Sequence, residues 1–440
     1  MAQNIFLVEK RSSLKKHRPS MGLARLSTVH KAAGDTIYHI ILDARYTLPS
    51  VKPDKVYISM IFSYDLAVFA KFVRQIRKLY PHLGQEDIVI GGVATLYMKE
   101  RIEQEIGITP VVGCDRELDE VKPDPEFYDC DSTYVFTRRG CPQKCSFCVV
   151  GEIESEPRNI ANWKSHIDMT KPNVVICDNN ILASPKEHQK EVFDYLREIA
   201  PVEGAKVEGG RKLRSANFDG GIDHRLINDN TMEMLKGIRF NRIRLAWDVL
   251  GTEPQFDRAM QKLLTLFPQT SSRGLHEMFE VYVLYNCDKT KDSLEATLYR
   301  VYKLLYHYRV LPYLMRYQPL NEESYKTYIS PYWDEKDVVD IARWINSRPV
   351  LMSTPSYKYY YGRNEDGKCI NSTTQEERHI LKVLEMNPPK LDYTKGFNAN
   401  LSAIRAEINA RNKVLSQIRS VISEQMAMTF TKEMAQASGV

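Results

Sequence analysis

The sequence lacks the features of a secreted or membrane-spanning chain. No apolar run approaches the length that crosses a bilayer, and the N-terminal residues MAQNIFLV contain no basic stretch followed by a long apolar one. The 440 residues include 8 cysteines, which without a signal peptide indicate reduced thiols rather than a disulfide framework. Internal repeats and low-complexity tracts are also missing. We expect a soluble, cytoplasmic protein without a membrane partner.

Neither sign of charge dominates the chain. The 61 Lys and Arg residues and 56 Asp and Glu residues are spread along its whole length and give a formal net charge of +5. This balance permits an anionic substrate or a nucleic acid but requires neither. With 43% hydrophobic residues, a chain of this length predicts about three domains with sizeable cores.

Three of the cysteines lie close together in the segment RRGCPQKCSFC, residues 138–148. Cys141, Cys145 and Cys148 have the spacing Cys-x-x-x-Cys-x-x-Cys, and three thiolates on one tight loop can each bind one iron of a [4Fe–4S] cluster. The fourth iron would then have no protein ligand. Structural zinc takes four protein ligands, and no histidine or fourth cysteine lies nearby in the sequence. The alternatives are a zinc knuckle completed by a distant ligand and a chance grouping.

This segment, including Phe147 directly before the last cysteine, resembles the motif of the radical S-adenosylmethionine (SAM) enzymes. The resemblance implies that the open iron chelates the amino and carboxylate groups of SAM. It also implies that electron transfer from the cluster cleaves SAM to a 5′-deoxyadenosyl radical, which takes a hydrogen atom from the substrate. An electron donor such as flavodoxin or ferredoxin would be a partner.

The fold class expected is α/β, in three parts. Residues 1–130 alternate short apolar runs with helical patterns, which predicts a doubly wound α/β domain. Residues 131–322 resemble a radical SAM core, a partial (β/α)6 barrel, and residues 323–440 predict a mostly helical extension. An apolar stripe in 398–428 suits docking or self-association of this C-terminal helix. The predicted strands of the first two parts are 5–8, 37–42, 56–62, 88–90, 134–136, 174–176, 216–218, 242–247, 279–284 and 313–317.

The placement of the first domain resembles the cobalamin-binding domain that precedes many radical SAM barrels. Its cobalt-binding signature, Asp-x-His-x-x-Gly, is absent, and the nearest match, around His30 and Gly34, has a different spacing. We therefore expect a cobalamin-binding-like fold but no cobalamin. Gly91 and Gly92 follow a predicted strand and offer a tight turn at the sheet edge where open α/β sheets bind ligands.

In parallel β/α barrels the chemistry lies on the loops that follow the strands. Asp178, Asn179 and Asn180 follow the second barrel strand, where the family binds SAM through a Gly-Gly-Glu segment that this chain lacks. Helix capping is their alternative role. Asp223 and Arg225 lie in a segment similar to the family's Gly-Leu-Asp-Ala-Arg, so the resemblance implies contacts with SAM, with a surface ion pair as the alternative.

Further candidates follow the later strands. Asp248 ends the fourth strand and could bind SAM or cap a helix, and Arg316 in the sixth strand could pair with a carboxylate or phosphate. His224 is a candidate proton donor or acceptor. Cys287 could donate a hydrogen atom to a substrate radical, with a buried structural thiol as the alternative. Asn286 stands where relatives usually carry glycine.

Two classes of substrate are compatible with the sequence, small molecules or nucleotides and nucleic acids. We favour hydrogen abstraction from a small molecule or nucleotide. The motif also resembles the methylthiotransferases that modify tRNA, but these need a second cluster held by three cysteines, and only Cys114 and Cys130 lie upstream. The aromatic and basic run 357–363 could stack bases or cover the barrel, so base modification of tRNA or DNA is an alternative function. A non-enzymatic metal-binding scaffold is another.

Overall fold

The structure is a computed structural model of the chain. It divides into two compact units, the first comprising Met1–Leu245, Gln261–Pro268 and Gln318–Tyr328, and the second Ala246–Met260, Gln269–Tyr317 and Ile329–Val440. The boundaries predicted at 130 and 322 stay a prediction. The residues that the structure describes are 2–11, 20–127, 130–154, 156–207, 213–269, 274–319, 327–347, 351, 356–362 and 388–437, with side chains up to 416 in the last range.

The described strands of the two units are β1 (Asn4–Lys10), β2 (Thr36–Leu42), β3 (Lys55–Ser59), β4 (Ile88–Gly91), β5 (Ser132–Val135), β6 (Arg138–Arg139), β7 (Arg158–Asn159), β8 (Asn173–Ile176), β9 (Ser215–Phe218), β10 (Phe240–Ala246), β11 (His276–Tyr285) and β12 (Val310–Arg316). In the two main sheets of the first unit the strands are parallel. Only the short β6 and β7 pair antiparallel in this unit's described sheets. The ten predicted strand runs all overlap one of these strands.

Helices follow most of the strands. They are α1 (Met21–Ala32), α2 (Leu66–Leu79), α3 (Thr95–Ile106), α4 (Arg116–Asp119), α5 (Val150–Ile153), α6 (Lys186–Ile199), α7 (Asp229–Leu235), α8 (Glu253–Leu266), α9 (Leu294–Tyr302), α10 (Glu335–Ile345) and α11 (Gly396–Ala437). Among the residues that the structure describes, no helix combines the length and the apolar character that a bilayer crossing requires.

The N-terminal sheet has the strand order β2-β1-β3-β4 and is covered on both faces. Because successive side chains of a strand point to opposite faces, Ile5 and Leu7 pack with α1, whereas Phe6 and Val8 pack with α2 and α3. This is the doubly wound arrangement predicted from the sequence. At the turn after β4, Gly92 has φ +112°, and a Cβ there would lie 2.4 Å from the Met60 carbonyl oxygen, so the turn requires glycine.

A second parallel sheet of the first unit positions the cluster loop. β8 pairs with β5 and with β9, and β9 pairs with β10. Helices α6 and α7 connect these strands in sequence, which gives consecutive β/α units. In the second unit, β11 and β12 also pair in parallel. The α/β fold class predicted from the sequence is confirmed.

The first half of α11 is built into the core of the second unit. Arg411 on this helix is fully buried and donates to Asp337 and Asp340 of α10, over 2.8 and 2.6 Å. One turn earlier, Glu407 accepts from the Tyr302 hydroxyl at 2.5 Å. A buried charge needs such partners, so these ion pairs fix how α11 packs. Self-association through this helix stays a prediction.

The tyrosine run of the second unit is packed rather than exposed. Tyr357 and Tyr360 are fully buried, and the Tyr357 hydroxyl donates to Asp337 at 2.9 Å. The Arg411 guanidinium lies 4.2 Å from the centre of the Tyr357 ring. Of the two roles considered for this segment, packing fits these contacts. Arg363, which belongs to the same run, lies outside the described residues.

Candidate functional site

The three cysteines lie on one loop between β6 and α5, here called the cluster loop (residues 140–149). The strand before the loop, β6, pairs antiparallel with β7, which follows α5, and in this pairing Arg139 lies opposite Arg158. Gly140 begins the loop with φ +75°, and a Cβ there would lie 2.8 Å from Pro157 Cα, so only glycine fits without displacement. The Cys148 amide donates to the Cys145 carbonyl oxygen at 3.0 Å, which tightens the turn between these two cysteines.

The cysteines are accessible and influence one another. Cys141 and Cys145 are half-buried, and Cys148 is exposed. Burial raises the pKa of Cys141, a hydrogen bond from the Gln143 amide lowers it, and the nearby charges of Cys148 and Cys145 raise it again. All three cysteines are therefore at least partly exposed to solvent.

In the part of the chain that the structure describes, the cysteines of the cluster loop do not form a site for a single metal ion. Within the described ranges, no three His, Cys, Asp or Glu side chains converge in the way that a single ion requires. A cubic cluster binds each thiolate to a different iron, so it is suited to sulfurs that lie on one loop without converging on one point. Phe147 is half-buried on the same loop.

Asp178 anchors the chain that enters the cluster loop. The residue is 4% exposed, and its Oδ1 accepts from the amides of Thr137 at 2.7 Å and Arg138 at 3.1 Å. Its Oδ2 accepts from the Thr137 hydroxyl, which in turn lies 2.9 Å from His188 Nε2. Burial raises the pKa of Asp178 to about 6, although these hydrogen bonds oppose the shift. Contact of Asp178 with SAM stays a prediction, but both carboxylate oxygens already serve the backbone and hydroxyl beside the loop.

Asn180, Asp223 and Arg225 connect the segments that follow β8 and β9. Asn180 Nδ2 donates to Asp223 Oδ2 at 2.9 Å, and Arg225 binds Asp223 through two hydrogen bonds of 2.8 and 2.7 Å. The pKa of Arg225 is raised, mainly by its hydrogen bond to Asp223 and to a smaller extent by the charge of the Cys145 side chain. Burial raises the pKa of Asp223, but Arg225 outweighs this effect and holds it below the ordinary value. Three of the predicted SAM-binding residues are therefore in contact beside one predicted cluster ligand.

The capping roles considered for these residues are present as well. Asn180 Oδ1 accepts from the Ala183 amide at 3.2 Å, and Asp223 Oδ1 accepts from the Arg225 amide at 3.1 Å. Each side chain thus caps a short helical turn with one oxygen and joins the network with its other polar atoms. His224 lies within the second of these turns and is buried.

Glu154 belongs to this site, although the sequence reasoning missed it. Its Oε2 accepts from the Gly140 amide and from Asn179 Nδ2, both at 2.7 Å, and its Oε1 accepts from Arg139 Nη1 at 3.1 Å. A single acidic residue after a cysteine motif has no distinctive spacing. The sequence feature that could have indicated an acidic partner is the Arg138-Arg139 pair before the cysteines. Arginines that are buried near a loop require acidic partners.

The remaining candidates lie in the second unit and are described there by themselves. Asp248 Oδ1 accepts from the Leu284 amide at 3.0 Å, which joins the segment after β10 to β11. Cys287 is 0% exposed, and burial raises the pKa of its thiol against the effect of hydrogen bonds from Thr290. Burial of this kind fits the structural alternative, and hydrogen-atom donation stays a prediction. Arg316 is half-buried at the end of β12.

Asn286 stands at a backbone position that also suits glycine, the residue that the resemblance leads us to expect there. Its φ is +60°, the left-handed conformation that glycine and asparagine tolerate best. The side chain is buried and fills the space with two hydrogen bonds, accepting from the Ser330 amide at 2.8 Å and donating to the Tyr317 carbonyl oxygen at 3.4 Å. Asparagine in place of glycine therefore allows the same left-handed backbone turn.

Comparisons with known proteins found similarity only among solved structures. No family model matches the sequence, and no curated protein matches it. Two structures of the cobalamin-dependent S-adenosylmethionine radical enzyme OxsB, one with aqua-cobalamin and SAM bound and one with aqua-cobalamin, are each 14% identical, with TM-scores of 0.45 and 0.46. A third, of the apo enzyme, is 12% identical with a TM-score of 0.40. In each case the match covers 78% of this chain and 56% of OxsB, so the chain spans little more than half the length of the enzyme that it resembles.

Proposed function

We propose that this chain is a radical SAM enzyme. The observation that carries the proposal is the cluster loop itself, with three accessible cysteines at the Cys-x-x-x-Cys-x-x-Cys spacing. Cys141, Cys145 and Cys148 would hold a [4Fe–4S] cluster. Three protein ligands on four irons leave one iron open for SAM.

When bound, the cluster would supply the electron that cleaves SAM to a 5′-deoxyadenosyl radical. The protein's own residues orient the reactants. Asp178 fixes the entry of the cluster loop, and Glu154 fixes its first residue. Asn179 and Asn180 present amides at the end of β8, and the Asp223–Arg225 pair presents a carboxylate and a guanidinium. Such groups match the amino, carboxylate and ribose groups of SAM.

For the substrate we favour a small molecule or nucleotide, with flavodoxin or ferredoxin as the kind of electron donor. The buried tyrosines of the run 357–361 support this choice, because rings packed in a core offer no platform for stacking bases. The mixed charge of the chain supports it as well. Base modification of tRNA or DNA is the alternative.

We propose further that the N-terminal α/β domain binds no cobalamin, because the cobalt-binding signature is absent and two of its described histidines are held by other side chains. His30 lies beside Asp35, 2.7 Å away, and Tyr57, 3.0 Å away, and His39 donates to Glu9 at 2.6 Å. Protein produced with ample hydroxocobalamin should purify without a corrinoid absorption spectrum. A stoichiometric corrinoid spectrum would contradict this part of the proposal.

The radical SAM proposal is tested on protein prepared without oxygen. We expect one four-iron cluster per wild-type chain and its loss in the Cys141→Ala/Cys145→Ala/Cys148→Ala variant, whereas a Cys114→Ala/Cys130→Ala control should keep it. With a strong reductant, the wild-type protein should convert SAM to 5′-deoxyadenosine, measured by chromatography. Unchanged iron and sulfide in the triple variant, or no 5′-deoxyadenosine from protein carrying a full cluster, would overturn the proposal.

A further inference from the structure

Glu154 is the point at which the cluster loop meets the end of β8. The residue follows α5, is 9% exposed, and receives hydrogen bonds on both carboxylate oxygens. Its Oε2 is shared by the Gly140 amide and Asn179 Nδ2, both 2.7 Å away. Hydrogen bonds to a carboxylate are roughly twice as strong as neutral ones, so one side chain fixes both donors.

The position of Glu154 is itself fixed by a buried ion network. Arg139 donates to Glu154 at 3.1 Å and to Asp119 at 2.9 Å, and its guanidinium lies 3.5 Å from the centre of the Phe136 ring. Asp119, which is buried, also accepts from Arg25 of α1 and Arg158 of β7. The network therefore connects the N-terminal sheet region to the cluster loop within the first unit.

We propose that Glu154 is a positioning residue that sets the cluster loop relative to the end of β8. By holding the Gly140 amide it fixes the residue next to Cys141, and by holding Asn179 it orients a side chain predicted to contact SAM. Its effect on SAM binding rests on the proposed function. Its effect on the loop is a property of the chain without iron.

A simpler role would be charge balance for Arg139. The network contains three guanidinium groups, of Arg25, Arg139 and Arg158, against the carboxylates of Asp119 and Glu154. The Glu154→Asp variant separates the two roles, because it keeps the charge but shortens the side chain by one methylene. Charge balance predicts wild-type behaviour of this variant, whereas positioning predicts a released Gly140 amide.

The first experiment measures hydrogen exchange of the Gly140 amide in reduced, iron-free protein by mass spectrometry. We expect exchange roughly tenfold or more faster in Glu154→Ala and Glu154→Asp, because each loses a hydrogen bond to a charged group. Glu156→Gln, which removes an exposed carboxylate from the same segment, is the matched control and should exchange like wild type. Amides of β1 report whether each variant remains folded. Wild-type exchange at Gly140 in a folded Glu154→Asp variant would overturn the inference.

The second experiment titrates SAM into protein carrying a reduced cluster and follows the cluster by electron paramagnetic resonance. Glu154→Gln and Asn179→Ala should each keep their iron and need about tenfold more SAM for half-saturation. The Glu154→Gln/Asn179→Ala double variant should need no more SAM for half-saturation than the more affected of the two single variants. Both changes break the same hydrogen bond, so their effects should not add. Independent, additive effects would contradict the shared role. If the wild-type cluster does not respond to SAM, the proposed function fails, and the hydrogen-exchange result alone decides the positioning role.

Discussion

Asp178 shows how a single buried carboxylate can organise a loop. It accepts three hydrogen bonds from Thr137 and Arg138, so the residues just before the cluster loop are held at the end of β8. Hydrogen bonds to the ionised form lower the pKa of a carboxyl, whereas burial raises it. At Asp178 burial prevails and the pKa is about 6, above the ordinary value of 3.8.

This shift predicts a specific pH dependence of stability. Because the folded-state pKa is raised, the contribution of Asp178 to the free energy of unfolding is fully present below about pH 4 and is lost as the pH rises to about 6, with a total change of about 3 kcal/mol. Asp178→Asn should lack this decline, because an asparagine side chain does not titrate. Its carbonyl oxygen can still accept from both backbone amides, so the variant should keep the fold. Urea unfolding of iron-free protein between pH 4 and 7 measures the difference. Glu187→Gln, on the exposed face of α6, should keep the wild-type slope, and a wild-type slope in Asp178→Asn would refute the assignment.

Asn286 allows the cost of a left-handed backbone to be separated from that of lost hydrogen bonds. Asn286→Gly loses the bonds to Ser330 and Tyr317 but keeps the φ of +60° at no steric cost. Asn286→Ala loses the same bonds and adds about 1–2 kcal/mol of backbone strain. We therefore expect the alanine variant to be less stable than the glycine variant by that amount in chemical unfolding. Equal stability of the two variants would show that the backbone turn has relaxed.

At the scale of elements, the cluster loop depends on a glycine that no other residue replaces. Gly140→Ala places a methyl group 2.8 Å from Pro157 Cα at a φ of +75°, so the loop must move away from β7. We expect this variant to lose most of its iron after reconstitution. Gly151→Ala is the matched control, because no heavy atom lies within 4 Å of the added methyl group. Iron content measured in parallel tests the difference, and equal loading would mean that the loop adapts without affecting its thiols.

The strands and the cysteine loop were predictable because their signals are local. The apolar run around Phe6 and Val8 and the spacing of the three cysteines can both be recognised within a few residues. The partners of Asp178 and the role of Glu154 were not predictable, because they join residues that are distant in the sequence. Glu154 meets Asn179 across 25 positions, and Arg139 meets Asp119 across 20. Sequence patterns predict which residues form a strand or a loop, but not which distant carboxylate will hold it.

At the scale of the whole molecule, the charge distribution bears on the partner. The net charge of +5 comes from 61 basic and 56 acidic residues, and many of the basic ones are paired, such as Arg411 with Asp337 and Lys303 with Glu253. Paired and buried cations cannot neutralise phosphates. A polymer of nucleic acid would therefore meet fewer available charges than the 61 basic residues suggest.

We accordingly expect the protein to bind labelled single-stranded and duplex oligonucleotides no more tightly than about 10 µM at physiological salt, the range of non-specific association. Fluorescence anisotropy across a series of salt concentrations measures both the affinity and the number of phosphates neutralised. The informative variant is Lys358→Ala/Arg363→Ala, and Lys186→Ala/Lys190→Ala, which removes two exposed lysines from α6, is the control. If nucleic acid were the substrate, binding would be tight, would weaken steeply with salt, and would be lost in the first variant but kept in the second. That pattern would replace the small-molecule substrate with base modification as the favoured function.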